Sequence, residues 1–220
     1  MRLVFLILIL LSAPARACDV ALVMALDVSR SVDKYEYFLM RDGIGAAFQD
    51  AEVADLIETL PGGIMATVTQ WGGLGQQRQA IRWYTLRTRA DINQFVVDFT
   101  SQHRGFWMAD TAVAEALIHA DAMFGPEVAD CRRRVIDVSG DGIANAGNPV
   151  LPVSQAIASK GVTINGLVID GARNDPVTWY ETTVIAGPFR FVVVARSYDD
   201  YREAMVRKLL RELTPALSMR

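Results

Sequence analysis

Two hydrophobic patterns alternate along the chain. Residues 20–26 are apolar at every position and stop at Asp27, as expected of a strand buried on both faces in the centre of a parallel sheet. Residues 64–71, 134–139, 162–169 and 190–195 read as further strands. Residues 80–86 read as a strand returning from 64–71 after the turn Gly72-Gly73-Leu74-Gly75-Gln76-Gln77, an antiparallel hairpin at one edge of the sheet. Between the strands, apolar residues recur every three or four positions. Tyr37, Met40, Ile44 and Phe48 stripe a helix over 33–48, and Ile92, Phe95, Val96 and Phe99 stripe one opened by Thr88 and Asp91. Val113, Ala116, Leu117, Ala120, Met123 and Phe124 share a side of a helix that starts at Thr111 and stops at Gly125-Pro126. Shorter helical pieces fall at 50–58, 152–159 and 175–183, and Tyr198, Tyr201, Met205, Leu209 and Leu213 stripe the last helix. This alternation predicts an α/β fold, doubly wound, with a mostly parallel central sheet, one antiparallel edge strand and helices on both faces.

The first 17 residues do not fit that pattern. Arg2, an apolar run over 3–11 and Ala15-Arg16-Ala17 have the layout of a secretory signal peptide, and the run is too short for a membrane-spanning helix. Residues 1–17 are therefore expected to be removed, leaving 18–220 as a single domain, periplasmic or secreted. The whole chain has 22 basic and 25 acidic residues, net −3; without Arg2 and Arg16 the balance is 20 against 25, net about −5. That balance argues against nucleic acid or anionic lipid as the partner. An exported chain can keep a disulfide. Its two cysteines, Cys18 and Cys131, lie nine residues before Asp27 and ten before Asp141, matching heights if their strands are neighbours. The alternatives are two separate thiols, or a Cys18 lipidated as the first mature residue.

The chemistry concentrates where strands end. Asp27, Ser29 and Ser31 alternate after the first strand, Thr111 opens a helix after a long loop, and Asp141 follows the strand 134–139. In an open α/β sheet such segments meet at the carboxyl ends of the strands. Two carboxylates and three hydroxyls, with no His or Cys, suit a hard octahedral cation such as Mg²⁺, with Mn²⁺ or Ca²⁺ as substitutes. Taken alone, Asp-x-Ser-x-Ser also suits a helix cap.

Asp27-x-Ser29-x-Ser31, Thr111 within Asp110-Thr111-Ala112-Val113, and Asp141-Gly142 after an apolar strand resemble a von Willebrand factor type A (VWA) domain, over nearly all of 18–213 and in the family's order. Cys131 to Gly142 and Thr163-Ile164-Asn165-Gly166-Leu167 are similar to an exported bacterial group of that family with no assigned activity. The resemblance implies a metal-ion-dependent adhesion site (MIDAS). Ser29, Ser31 and Thr111 would coordinate the ion directly or through water, Asp27 and Asp141 would hold it, and an acidic residue of a partner protein would complete the shell. The family's strand order also sets the first strand beside the one ending at Asp141, which supports a Cys18–Cys131 disulfide. The family usually has Thr-Asp-Gly where this chain has Gly140-Asp141-Gly142. Either Ser139 supplies the hydroxyl lost there, or the ligand geometry differs.

Three functions compete: a metal-dependent protein-binding module, a metal-dependent phosphohydrolase, and a structural domain with no ion. Neither His103 nor His119 has an obvious serine partner, Gly-x-Ser-x-Gly is absent, and Gly73-Leu74-Gly75 is not a dinucleotide loop. Asp137, mid-strand, needs a buried partner, expected to be an arginine. Arg132-Arg133-Arg134 reads as a solvated strand entrance. Phe106, Trp107 and Met108, ahead of Thr111, are either a partner's aromatic anchor or a lid on the core.

Overall fold

The computed structural model describes residues 18–170 and 175–214; the expected signal peptide lies outside them. Among the described residues there are six strands: β1 (Val20–Asp27), β2 (Ile64–Trp71), β3 (Gln77–Leu86), β4 (Arg133–Gly140), β5 (Val162–Ile169) and β6 (Val192–Ala195). They form one sheet in the order β3-β2-β1-β4-β5-β6, parallel except for β3.

Side chains alternate between the faces of a strand, and β1 uses both faces for core. Val20, Leu22, Met24 and Leu26 join one apolar cluster, Ala21, Val23 and Ala25 the other. The first face is covered by helices α1 (Lys34–Phe48), α2 (Ala51–Thr59) and α3 (Arg89–Thr100), the second by α4 (Val113–Ala122) and α5 (Val150–Ala158). A one-turn helix α6 (Pro176–Trp179) runs into a wide turn, Tyr180–Val184, also on the second face. The closing helix α7 (Tyr201–Leu213) returns to the first. Capping boxes fix the starts of α1 (Asp33 with Glu36) and α3 (Thr88 with Asp91).

Several expected boundaries move (β3 starts at Gln77 and β6 at Val192), and three of the shifts have a visible reason. Helix α4 begins at Val113, because the Thr111 amide and carbonyl are both engaged by Asn145. Helix α5 begins at Val150, since Pro152 is tolerated in a first helical turn. Tyr198 lies in a short turn before α7 and donates to Asp141 instead of joining the helix stripe.

The amino end of the central strand pair is covalently closed. Cys18 and Cys131 form a disulfide, with Cα atoms 4.5 Å apart. Beside it Arg132, Arg133, Arg134, Arg190 and Arg211 border a cavity of about 310 Å³. Arg133 donates to the Glu212 carbonyl at 2.8 Å, so that entrance is only partly solvated.

Asp137 is buried, and its partner is a lysine: Lys208 Nζ lies 2.9 Å from Asp137 Oδ1 and 2.9 Å from Glu212 Oε2. A long stem reaching out of α7 brings the cation here, whereas the nearby arginines are held at the strand entrance. Two buried carboxylates share one ammonium, and desolvation pushes Asp137 up to about 6. The folded chain then keeps a proton that the unfolded chain, with an ordinary carboxylate near ~4, has released. Stability owed to this group falls as pH rises from about 4 to about 6 and is level above that. Asp137→Asn is expected to flatten that part of the profile, as read by urea unfolding at each pH.

Candidate metal centre

The chain leaves β1 at a buried carboxylate and turns sharply. The Ser29 amide donates to Asp27 Oδ1 at 2.7 Å, and Ser29 Oγ lies 3.1 Å from Ser31 Oγ. Ser31 donates on to Asp141 Oδ1 at 2.7 Å, across 110 residues, and Tyr198 donates to Asp141 Oδ2 at 2.9 Å. Asp27, Ser29, Ser31 and Asp141 are thus brought into one polar chain at the carboxyl ends of β1 and β4. Thr111, Ser31 and Asp141 border the same cavity of about 750 Å³, along with Asn145, Tyr198 and Arg196. The α4 cap is Ala112, so the Thr111 hydroxyl is not used as a helix cap.

Asn145 fixes Thr111 from the β4–α5 loop: its side-chain oxygen accepts from the Thr111 amide at 2.8 Å, and its own amide donates to the Thr111 carbonyl at 3.0 Å. Arg104 holds the β1–α1 loop. Its guanidinium donates to the carbonyls of Val28, Ser29, Val32, Asp33 and Phe106, at 2.5–3.1 Å. The Trp107 ring stacks on it at 4.4 Å. Neither residue has a sequence signal, since one side chain in an irregular loop has no periodicity. The aromatic stretch divides between buried and exposed positions. Phe106 packs against the core, while Trp107 and Met108 are exposed beside the loop, where the Arg30 amide donates to the Ala109 carbonyl.

The residues fit a cation by one observation above others: Asp27 Oδ2 is fully buried and has no hydrogen-bond partner. Burial, then the charge of Asp141, pushes Asp27 up to about 7, against the pull of Ser29 and Arg104. A carboxylate left in that condition favours a positive charge. Among the described residues, no three His, Cys, Asp or Glu side chains cluster as metal ligands, so hydroxyls would have to supply part of any shell. Ser139 is not the replacement hydroxyl: it accepts from Tyr201 at 3.0 Å, toward α7.

Gly140 has a steric cause. A Cβ there would stand 2.7 Å from Tyr180 Oη and 3.0 Å from Asp27 Oδ2. Gly140→Ala is therefore expected to lower stability by about 1–3 kcal/mol, the range for overpacking, measured by thermal or urea unfolding.

The family model described as "Protein of unknown function (DUF1194)" matches residues 17–217. No curated protein sequence matches the chain. Among solved structures it is similar to proximal thread matrix protein 1 of the mussel byssus, with 19% identity and a TM-score of 0.63, over 90% of this chain and 49% of that one. A second structure of that protein is described as having a zinc-occupied MIDAS motif, with a TM-score of 0.59. The pilus adhesin SpaC of Lactobacillus rhamnosus GG matches at 12% identity and a TM-score of 0.64, over 89% of this chain and 30% of that one. A von Willebrand factor type A protein from Catenulispora acidiphila matches at 16% identity and 0.57, over 87% and 43%. The chain thus spans about half the length of the mussel protein or less of these relatives, and at such identities the likeness establishes the VWA fold alone.

Proposed function

This chain belongs to the DUF1194 family, and we propose that it is an exported binding module that grips an acidic group of a partner protein through a divalent cation, Mg²⁺ in the first instance. The observation carrying this reading is the unpartnered, buried Asp27 Oδ2, in a carboxylate tied through Ser29 and Ser31 to Asp141; Ser31, Asp141 and Thr111 border one cavity. In this reading Ser29, Ser31 and Thr111 offer neutral oxygens, while Asp27 and Asp141 balance the ion's charge. A cation with so few anionic ligands keeps affinity for one more carboxylate. The zinc-occupied MIDAS described for the mussel protein supports a divalent ion at this place in the fold, and the SpaC adhesin supports a binding role.

Export is supported by the disulfide and by the signal-like first 17 residues. Among the described residues no helix is long and apolar enough to cross a membrane. The rim supplies the rest of a docking face: exposed Trp107 and Met108 on one side of the site, exposed Arg196 at the cavity's border. An aromatic anchor beside a coordinated carboxylate would combine apolar burial with a directional charge contact.

A melting series tests the reading. Mg²⁺ at about 100 times its dissociation constant adds about 2.7 kcal/mol to a chain that binds it only when folded. The expected result is a rise in Tm with Mg²⁺, reversed by EDTA and lost in the Ser29→Ala/Ser31→Ala double variant. A chain whose Tm ignores Mg²⁺, Mn²⁺ and Ca²⁺ alike would leave a fold with no ion to grip with. For the rim, Trp107→Ala is expected to weaken capture of partners from an exported-protein fraction. The same variant should keep the Mg²⁺-dependent rise in Tm.

A further inference from the structure

Three tyrosine hydroxyls converge on the carboxyl end of β4. Tyr201 donates to Ser139 at 3.0 Å and Tyr198 to Asp141 at 2.9 Å, each with an acceptor of its own. The third, Tyr180, is fully buried, and its hydroxyl has no partner. The acceptor left over in the same wall is Asp27 Oδ2, which is also without a partner. Both atoms lie within 3.0 Å of the single point where a Gly140 Cβ would stand, so a side chain at that position would crowd them both.

Holding a phenol hydroxyl there has a cost. A buried donor left unsatisfied destabilises a fold, and a phenylalanine would fill the same volume without that penalty. The backbone is also shaped to deliver this ring. Tyr180 opens the wide turn Tyr180–Val184, in which the Ile185 amide reaches back five residues to the Tyr180 carbonyl at 3.0 Å. Such wide turns are rare and recur at functional sites. Ser154 of α5 ties the turn down through the Thr183 carbonyl at 3.3 Å.

We infer that Tyr180 is a positioning residue of the ion site: with a cation bound, its O–H donates to Asp27 Oδ2, directly or through one buried water, and fixes the orientation of that carboxylate. This rests on the metal-dependent reading above. The donor is neutral, so it orients Asp27 without competing with the cation for its charge, as a lysine or arginine there would. Partners that orient an ion's ligands in this way typically change its affinity tenfold to a hundredfold when removed.

The test is Tyr180→Phe, with Mg²⁺ affinity measured by calorimetric titration and Tm measured in EDTA. The expected result is a split: Tm in EDTA equal to or above wild type, because an unsatisfied hydroxyl is gone, and a Mg²⁺ dissociation constant about ten to a hundred times larger. A variant with wild-type Mg²⁺ affinity overturns the role of Tyr180 and leaves the ion reading standing. A wild type that binds no Mg²⁺ overturns both. A second readout compares the two chains: Mg²⁺ should shift the phenol absorption of the wild type more than that of Tyr180→Phe, since Tyr198, bonded to Asp141, contributes to both. A shift of equal size in the two chains, or none in either, also overturns the inference.

Discussion

The controlling constraint is one carboxylate at the end of a strand that has no exposed face. Every residue of β1 is buried, Asp27 included. Taking a carboxylate out of water is costly unless it is paired or hydrogen-bonded. Here one oxygen is satisfied by the Ser29 amide and the other faces protein without a donor. Arg104, whose charge acts on Asp27, makes no hydrogen bond to it; its donors go to five backbone carbonyls of the surrounding loops. The result is a loop stapled around a buried carboxyl group. Gly140, Asn145 and the delayed start of α4 follow from accommodating that arrangement.

Much of this was legible in the sequence, and the reason differs from element to element. β1 is readable because an unbroken apolar run admits few alternatives, and the stripes of α1, α3 and α7 because packing on a sheet enforces a period. Asp27, Ser29 and Ser31 are readable because they alternate within five residues. What escaped was long-range and solitary. Arg104 acts on residues more than seventy positions earlier and Asn145 on one 34 positions earlier. Neither recurs in any pattern. Asp137 clearly required a cation, but the expected arginine is in fact Lys208, because the choice depended on how α7 settles on the sheet.

Gly140 illustrates the same boundary from the other side. Its departure from the family's usual threonine is visible in the sequence, yet the adjacent Ser139 looks like a natural substitute. In a strand, neighbouring side chains point to opposite faces, so Ser139 reaches Tyr201 on the α7 side and is lost to the site. The architectural relatives share the fold at distant identity. The fold therefore brings these strand ends together, while the side chains crowding β4 decide which groups stand between them.

The disulfide acquires a second meaning once the pairing of β1 with β4 is considered. Val20 sits opposite Arg133 and Leu26 opposite Ser139, and Cys18 is bonded to Cys131: each pair is separated by the same 113 positions. The bond therefore works as an alignment pin for the two strands whose far ends carry Asp27 and Asp141. Sliding one strand past the other by a single residue would turn every side chain to the opposite face, and the covalent pin blocks that slip from the end of the sheet opposite the site.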